Sequence, residues 1–356
     1  MDLPFVYSVI VVLIVLCLLF PKSKGLQFTT IAYLAFLAIF RSVSVGTDYE
    51  FYVYDFQKYM PGKVEYEWER TETGFMMLIY WFRSICNSYV VFYGLLYAIF
   101  QYGVLKLAKV RGVALPWVLF AYFFFGFYFR SLNGVRQFFA IGAVLLATPF
   151  LYSRQYKKFA IVTLLISLLF HHSCIIMLLL LPLHYYANKT IALNKSLLYV
   201  VIVLSYLFFF VGRNFLYSWF QPLENLVMLD NYAHYVMNGE YREDISNITS
   251  TVYTIYAMII VYCSKNNNYR FELLAVVLSF VIFNVASIMA VAMGRLFLNF
   301  NIFLCVLIPL FIQGRMDFKK VLFLVSTLCV SFSTFYVQFI AGNNSEVKPY
   351  LFIFSI

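Results

Sequence analysis

Apolar runs long enough to cross a membrane recur from one end of the chain to the other. A transmembrane helix needs about 20 mostly apolar residues, because the hydrocarbon core of a bilayer is about 30 Å thick. Hydrophobic residues make up 63% of the chain and charged residues only 12%, whereas a soluble domain is roughly half apolar and a quarter charged. The sequence therefore predicts an all-α polytopic membrane protein in which residues 1–356 form a single transmembrane domain.

The charged residues of the loops indicate how the helices are oriented. Six short loops contain 15 of the 26 Lys and Arg residues, and such basic loops face the cytoplasm. Two larger loops, at about 42–71 and 213–247, carry more acidic than basic residues and are expected outside. The alternation predicts roughly 12 crossings with both termini extracytoplasmic. Because the net charge of +10 comes from the cytoplasmic loops, it does not indicate a nucleic-acid partner.

Two segments do not fit a simple alternation. Residues 72–105 contain two apolar stretches, but their flanking charges allow one net crossing. We therefore predict that 73–86 is a re-entrant helix or lies along the interface. Residues 159–186 must cross twice and are interrupted by the sequence HHS at 171–173. Two broken or tilted half-helices that meet at these histidines are predicted, since irregular backbone at membrane depth normally lines a cavity.

Arginine and lysine are distributed differently over the two predicted sides of the membrane. The basic loops contain 11 Lys and 4 Arg, whereas the rest of the chain contains 3 Lys and 8 Arg. Either residue suits orientation, but a guanidinium offers phosphate a planar pair of donors. An outward-facing anion site is therefore predicted, and the alternative for each arginine is an ordinary interfacial anchor. The candidates, all at predicted outer helix ends, are Arg41, Arg130, Arg136 and Arg295.

The stretch RSLNGVRQ, residues 130–137, places two of these arginines around an Asn-Gly turn signal. Asn133 is a good N-cap for a helix that starts near Gly134, which puts Arg136 in the first turn of that helix. The helix dipole disfavours a cation there, and a bound phosphate would reverse this penalty. The turn is expected to let Arg130 and Arg136 converge on such an anion. The alternative is a pair of interface anchors that flank a tight hairpin.

Several polar residues are candidates for proton transfer. Asp48 follows a Gly-Thr pair in the first outer loop, and His171 and His172 lie in the interrupted segment. A histidine suits proton transfer near neutral pH, and adjacent histidines point to different faces of a helix. Glu72 precedes an apolar segment and is interpreted as its N-terminal cap in preference to a catalytic residue. The sequence shows no metal-binding spacing and no nucleotide, nicotinamide or α/β-hydrolase motif.

Short motifs also follow one another in a recognisable order. They are R-x4-G-T-D-Y-x2-Y from Arg41 to Tyr52, E-x-G-F from Glu72 to Phe75, N-x2-R-Q from Asn133 to Gln137, F-H-H-S from Phe170 to Ser173, Y-x2-Y with Tyr232 and Tyr235, and Arg295 near the start of a late helix. This ordered set, over about residues 25–315, resembles the EpsG family, a branch of the Wzy-type polysaccharide and O-antigen polymerases.

The resemblance implies a membrane-embedded, GT-C-like glycosyltransferase that uses no cofactor and no metal. Its donor and acceptor are oligosaccharide repeat units on undecaprenyl diphosphate, which it joins into O-antigen, capsule or exopolysaccharide. The reaction takes place at the outer face of the bacterial inner membrane. Besides the lipid bilayer, a chain-length regulator is a further partner to consider. The alternatives are an O-antigen ligase, which uses the same donor, and a flippase, whose charges should reach both sides of the membrane.

Residue roles follow from this resemblance and from the charge pattern. Arg136, Arg130, Arg295 and Arg41 are expected to bind the lipid diphosphate, with Arg136 the strongest candidate. The acceptor hydroxyl needs a base, and the candidates in order are His172, His171 and Asp48. Tyrosine rings can stack on sugars, and the candidates for this role are Tyr49, Tyr52, Tyr232 and Tyr235. For the tyrosines of the first outer loop, the alternative is an aromatic belt at the membrane interface.

Overall fold

The computed structural model describes residues 4–58, 72–189, 193–220, 247–264, 267–287, 295–343 and 345–354, with the backbone alone for 213–220. These residues form helices and their connections, and no strand occurs among them, which confirms the predicted all-α class. Their contacts divide into two compact units. The first comprises Met1–Leu178, Ile308–Leu310 and Ser331–Ile356, and the second comprises Leu179–Leu307 and Phe311–Val330. The single transmembrane domain stays a prediction.

The structure describes the following helices and helical turns. In chain order they are α1 (Phe5–Leu19), α2 (Lys24–Ile39), α3 (Tyr49–Lys58), α4 (Thr73–Ile85), α5 (Tyr89–Arg111), α6 (Leu115–Phe124), α7 (Phe127–Asn133), α8 (Val135–Leu146), α9 (Thr148–Tyr152), α10 (Tyr156–Leu169), a 3-10 helix (His172–Leu179), α11 (Leu180–Ala187), α12 (Lys195–Phe220), α13 (Asn247–Cys263), a 3-10 turn (Asn267–Tyr269), α14 (Arg270–Ala286), a second 3-10 turn (Arg295–Phe297), α15 (Leu298–Asn301), α16 (Leu304–Ile312), α17 (Phe318–Thr334) and a π-helical end (Phe335–Ala341).

Five helical stretches among the described residues are long and apolar enough to cross a membrane, and α6 with α7, bent by 54°, adds a sixth if the pair is one span. Four further apolar helices are shorter, with 10–17 residues. The chain is thus a multi-pass membrane protein by length and composition, whereas roughly 12 crossings, the GT-C-like arrangement and the outer position of both termini stay predictions. The five stretches are Tyr89–Arg111, Val135–Tyr152, Lys195–Gly212, Arg295–Ile312 and Phe318–Ala341.

The two irregular segments contain a short helix and an interrupted one. α4 has 13 residues and spans about 20 Å at 1.5 Å per residue, which is too short for a bilayer core of about 30 Å. Whether it is re-entrant or interfacial stays a prediction. α10 ends at Leu169, and a 3-10 helix begins at His172. The predicted interruption at the histidines is therefore confirmed, and we call residues 170–171 the histidine break.

Two glycines bring α5 and α8 into direct backbone contact. A Cβ atom at Gly103 would lie 2.5 Å from the carbonyl oxygen of Gly142, and one at Gly142 would lie 2.4 Å from Cα of Phe100. Small residues allow backbones to approach this closely, and the resulting packing is one of the forces that associate helices within a membrane. The N-terminus of α8, which carries Arg136, is consequently fixed against α5.

The loop that leads from α2 to α3 is tied to a late segment of the chain. Ser42 donates its backbone N–H to the carbonyl of Leu351 at 2.8 Å, and Ile353 donates to Phe40 at 2.9 Å. Further along, Gly46 donates to Glu346 at 3.1 Å. The R-x4-G-T-D motif therefore leaves α2 through a bridge at Arg41 and a turn closed by the hydrogen bond from Val45 to Ser42, and its ties to the late segment lead to the start of α3 at Tyr49.

In the second unit, a buried amide connects three helices. The side chain of Asn284 on α14 accepts a hydrogen bond from Ser250 at 2.7 Å and donates to Thr254 and Ser205 at 3.0 and 3.2 Å. Such hydrogen bonds join helices where water is absent. α12, α13 and α14 are thereby held together.

Candidate functional site

Gly74 determines how closely α4 approaches α10. A Cβ atom at this position would lie 2.4 Å from the carbonyl oxygen of Leu169 and 2.6 Å from its Cβ atom. Glycine therefore lets the first turn of α4 touch the last residue of α10. As a consequence Glu72, two residues before Gly74, lies beside the histidine break.

The Glu72 carboxylate binds three groups from two other segments. Its Oε2 atom accepts a hydrogen bond from Nη1 of Arg136 at 2.9 Å. Its Oε1 atom lies 3.0 Å from Nδ1 of His171 and accepts the backbone N–H of His172 at 3.3 Å. Only 9% of the Glu72 side chain is exposed. A single buried carboxylate thus connects the first turn of α8 to the histidine break.

The capping role predicted for Glu72 is wrong. The residue occupies the N-cap position of α4, but its side chain makes no capping hydrogen bond. A helix N-terminus presents about half a positive charge, whereas the Arg136 guanidinium presents a full one. The carboxylate therefore turns away from its own helix and pairs with Arg136.

The electrostatics of the cluster favour an ionised Glu72. Burial by itself raises the pKa of the carboxyl, but the hydrogen bond from His171 and the positive charge of Arg136 outweigh burial and lower the pKa from 4.5 to about 2. Glu72 is consequently a carboxylate throughout the physiological range. It provides a fixed negative charge that holds both partners in place.

Arg136 lies in the first turn of α8, as the sequence predicts. Its guanidinium carbon is 5.8 Å from the ring centre of Tyr52 and 5.9 Å from that of Phe75, and the Tyr52 hydroxyl accepts a hydrogen bond from it. Its side chain is 23% exposed. The guanidinium is therefore held by a carboxylate and a phenol while part of it remains accessible.

The two histidines have different partners, in agreement with their adjacent positions. Nδ1 of His172 lies 3.1 Å from the carbonyl oxygen of Ser167, and a carbonyl can only accept, so this nitrogen carries the hydrogen. Nδ1 of His171 faces the Glu72 carboxylate at 3.0 Å and donates for the same reason. In each neutral ring the lone pair is then on Nε2, which makes both rings proton acceptors at that atom.

Of the other predicted phosphate ligands, Arg130 has hydrogen-bond partners of its own, whereas Nε and Nη1 of Arg41 are buried without a hydrogen-bond partner among the described residues. Arg130 donates from Nη1 to the carbonyl of Phe125 at 2.9 Å and from Nη2 to Gln338 at 2.5 Å. Arg41 is 3% exposed, and its guanidinium carbon lies 3.7 Å from the ring centre of Tyr49. Arg130 and Arg136 thus have separate partners and do not converge on a common group. Binding of phosphate by Arg41 and Arg130 stays a prediction.

The turn between the two arginines also differs from the expected one. Asn133 is the last residue of α7, and Gly134 is the N-cap of α8 with no side-chain cap. Asn133 therefore does not cap α8, because its side chain is buried and directed at the outer loop, where its Oδ1 atom would lie 2.6 Å from a Cβ at Gly46. Among the described residues, this oxygen has no hydrogen-bond partner.

The remaining predicted site residues lie in several places. Asp48 directly precedes α3, and Tyr49 is buried beneath Arg41. Arg295 begins a short 3-10 turn in the second unit and is exposed. Tyr232 and Tyr235 lie outside the described residues. Of the predicted residues the structure therefore brings together Arg136, His171, His172 and Tyr52.

One residue of this cluster, Glu72, is missed as a site residue by the sequence pattern. The pattern assigns it to capping, although the E-x-G-F motif places it two residues before a glycine, and that glycine is the available signal for a close contact. Among the described residues, no group of three or more His, Cys, Asp or Glu side chains is arranged to hold a metal.

Comparison with known proteins gives one match. The model of the EpsG family matches residues 24–352, which is most of the chain. No curated protein and no solved structure matches this chain.

Proposed function

Since the chain belongs to the EpsG family of polysaccharide polymerase-like membrane proteins, we propose that it joins oligosaccharide repeat units carried on a polyprenyl diphosphate. In a bacterium this carrier is undecaprenyl diphosphate, and the reaction takes place at the outer face of the inner membrane. The observation that carries the proposal is the cluster of Arg136, Glu72 and His171 in one partly accessible site.

Arg136 is suited to the leaving group of this reaction. Its guanidinium stands in the first turn of α8, where the backbone N–H groups and the helix dipole also attract an anion. A guanidinium has five N–H donors, and the Glu72 carboxylate accepts a hydrogen bond from Nη1. Donors therefore remain for the phosphate oxygens while Glu72 keeps the side chain in position.

The reaction itself exchanges one bond for another. A hydroxyl oxygen of the acceptor sugar attacks the anomeric carbon of the donor, and the bond from that carbon to the diphosphate oxygen breaks. The electron pair stays on the diphosphate, which leaves as an anion with its charge stabilised by Arg136. Preorganised donors of this kind contribute about 3 kcal/mol each to lowering the barrier.

The proton of the acceptor hydroxyl needs a base, and His171 fits this role. Its Nδ1–H is held by a permanent carboxylate, which fixes the tautomer and stabilises the imidazolium that forms. Nε2 is then free to take the proton. The carboxylate partner supports His171 over His172, whose Nδ1 is bonded to a neutral carbonyl.

Incubation of the purified protein with one lipid-linked repeat unit tests the proposal. A ladder of products that differ by one repeat is expected, because each product is again a donor. A product of a single addition, without a ladder, would indicate a ligase. Unchanged substrate that has moved across a liposome membrane would indicate a flippase, and either result would overturn the proposal.

A further inference from the structure

A small cavity lies beside Arg41, where the end of α2 meets α5, α7 and α8. It measures about 10 Å³, which is close to the space of one water molecule, and a chloride ion is only slightly larger. Its polar lining residues are Arg41, Tyr93, Tyr97 and Ser131, and the described residues that line it include no acid. A group inside the cavity therefore meets one positive charge and no negative one.

The Arg41 guanidinium is buried without a counter-charge. The residue is 3% exposed, and the ion pairs of the described residues do not include it. Tyr49 covers one face of the guanidinium, with 3.7 Å between the guanidinium carbon and the ring centre. This contact attracts the charge through the ring face, but the N–H groups lie in the guanidinium plane and need acceptors of their own. Nε and Nη1 have no such acceptor among the described residues.

The hydroxyls that line the cavity do not supply these acceptors with a negative charge. Tyr93 and Ser131 each donate to a backbone carbonyl, at 2.5 and 2.6 Å. Tyr97 accepts a hydrogen bond from Tyr122 at 3.2 Å, which leaves the hydrogen of its own hydroxyl for another acceptor. The polar lining thus consists of one cation and neutral groups, and the cation holds the unused donors.

Charge decides which occupant suits this cavity. An arginine keeps its proton even when it is buried, and a buried charge without a partner is costly. A water molecule would accept the N–H bonds and leave the charge uncompensated. A small anion does both, and the volume of the cavity excludes a phosphate group.

We propose that this cavity is a binding site for a single chloride ion, which accepts hydrogen bonds from Nε and Nη1 of Arg41. The ion neutralises the guanidinium where Arg41 bridges to Phe352 of the late segment and stacks on Tyr49 at the start of α3. Chloride is therefore expected to stabilise the junction between these segments. The site is separate from the proposed diphosphate site, because Arg136 does not line the cavity.

Thermal unfolding of the detergent-solubilised full chain tests the site. Sodium chloride replaces sodium gluconate at constant ionic strength, over about 1 to 300 mM chloride. A ligand that binds only the folded chain raises the midpoint of unfolding with the logarithm of its concentration, and a rise of about 5 °C is expected over this range. Bromide should act as chloride does, because the two ions have the same charge and similar size.

Arg41→Gln should lose the halide response, because it removes the charge and two of the donors. Sulfate and phosphate stabilise many proteins by exclusion from the surface, so their effect should be equal in parent and variant. Arg83→Gln is the matched control. It removes an arginine of the same unit that donates to a backbone carbonyl and to Asn87, and it should keep the halide response of the parent.

Bromide diffraction on crystals of the parent locates the ion independently, so the test does not depend on whether Arg41→Gln folds. An anomalous peak in the cavity beside Arg41 is expected. Bromide at other positions alone would indicate an adventitious ion only and would overturn the inference.

Three unfolding results would also overturn it. The first is an equal midpoint of the parent in chloride and gluconate, as expected if a water molecule bridges Nη1 of Arg41 to Oδ1 of Asn133. The second is a halide response that persists in Arg41→Gln. The third is a stabilisation by inorganic phosphate that Arg41→Gln abolishes, which would make Arg41 part of an oxyanion site.

Discussion

The Oε2 atom of Glu72 lies 2.9 Å from Nη1 of Arg136, although the two residues are 64 positions apart in the sequence. The same carboxylate reaches His171 through its other oxygen, 3.0 Å from Nδ1. The group proposed to hold the leaving diphosphate and the group proposed to take the acceptor proton are therefore positioned by one side chain.

Arg136→Ala should lower kcat for polymerisation about 100- to 1,000-fold, as expected for loss of one preorganised donor. Arg136→Lys should recover little of this, because an ammonium cannot bind Glu72 and a phosphate with a planar fork. Ladder formation from a lipid-linked repeat unit measures both. Arg154→Lys, in an exposed basic turn, is the control and should keep parental activity. Full product length with Arg136→Ala would exclude the diphosphate role.

His171→Gln should lower kcat by about 10²- to 10⁴-fold, the usual contribution of a general base. His172→Gln should have a smaller effect on kcat, because the Nδ1 atom of His172 is bonded to a neutral carbonyl and not to a carboxylate. Rates of ladder formation measure both variants. If His172→Gln lowers kcat more than His171→Gln does, the assignment of the base must be exchanged.

Glu72→Gln should destabilise the protein in a manner that depends on pH. The folded-state pKa is lowered from 4.5 to about 2, so the stabilisation is fully present above about pH 4.5 and is lost as the pH falls towards 2. At neutral pH this amounts to about 3 kcal/mol, at about 1.4 kcal/mol for each pKa unit. The free energy of unfolding of the solubilised protein should therefore be lower for the variant than for the parent, and this difference should shrink as the pH falls. Glu50→Gln, which removes an exposed acid from α3, should have the free energy of unfolding of the parent. A difference for Glu72→Gln that does not change with pH would contradict the ion pair.

Gly74→Ala should reduce activity although it adds a single methyl group. The new Cβ would meet the backbone of Leu169 at 2.4 Å, so α4 must move and carry Glu72 away from His171. A fall in kcat of at least tenfold is expected, in line with the sensitivity of catalysis to small misplacements. Gly25→Ala on α2 is the matched control, because no atom lies within 4 Å of its added Cβ. Equal activity of the two variants would show that the close approach does not position the site.

Local features of this protein could be predicted from its sequence. The histidine break follows from two polar residues and a serine within a segment that is too short for two regular spans. The position of Arg136 in a first helical turn follows from the Asn-Gly pair, because glycine at that point ends one helix and allows the next to start. Each of these depends on neighbours within a few residues.

The partners of the charged residues could not be predicted in the same way. Whether Glu72 caps α4 or binds Arg136 depends on the distance between α4 and α8, which the sequence of neither helix contains. The same applies to Arg41, since an arginine at a helix end can reach the interface or fold back onto Tyr49. Asn133 illustrates the limit, because the preference of asparagine for N-caps was overridden by the tight fit of the outer loop at Gly46.

The contact between Gly103 and Gly142 has a consequence for which part of the charged cluster is fixed. Helices that touch backbone to backbone have no side chains between them that could change rotamer, so α8 cannot slide or rotate on α5 without a collision. Arg136 is thereby anchored to α5, and the precision of the cluster depends on how α3 and α4, which carry Tyr52 and Glu72, are held against this fixed guanidinium.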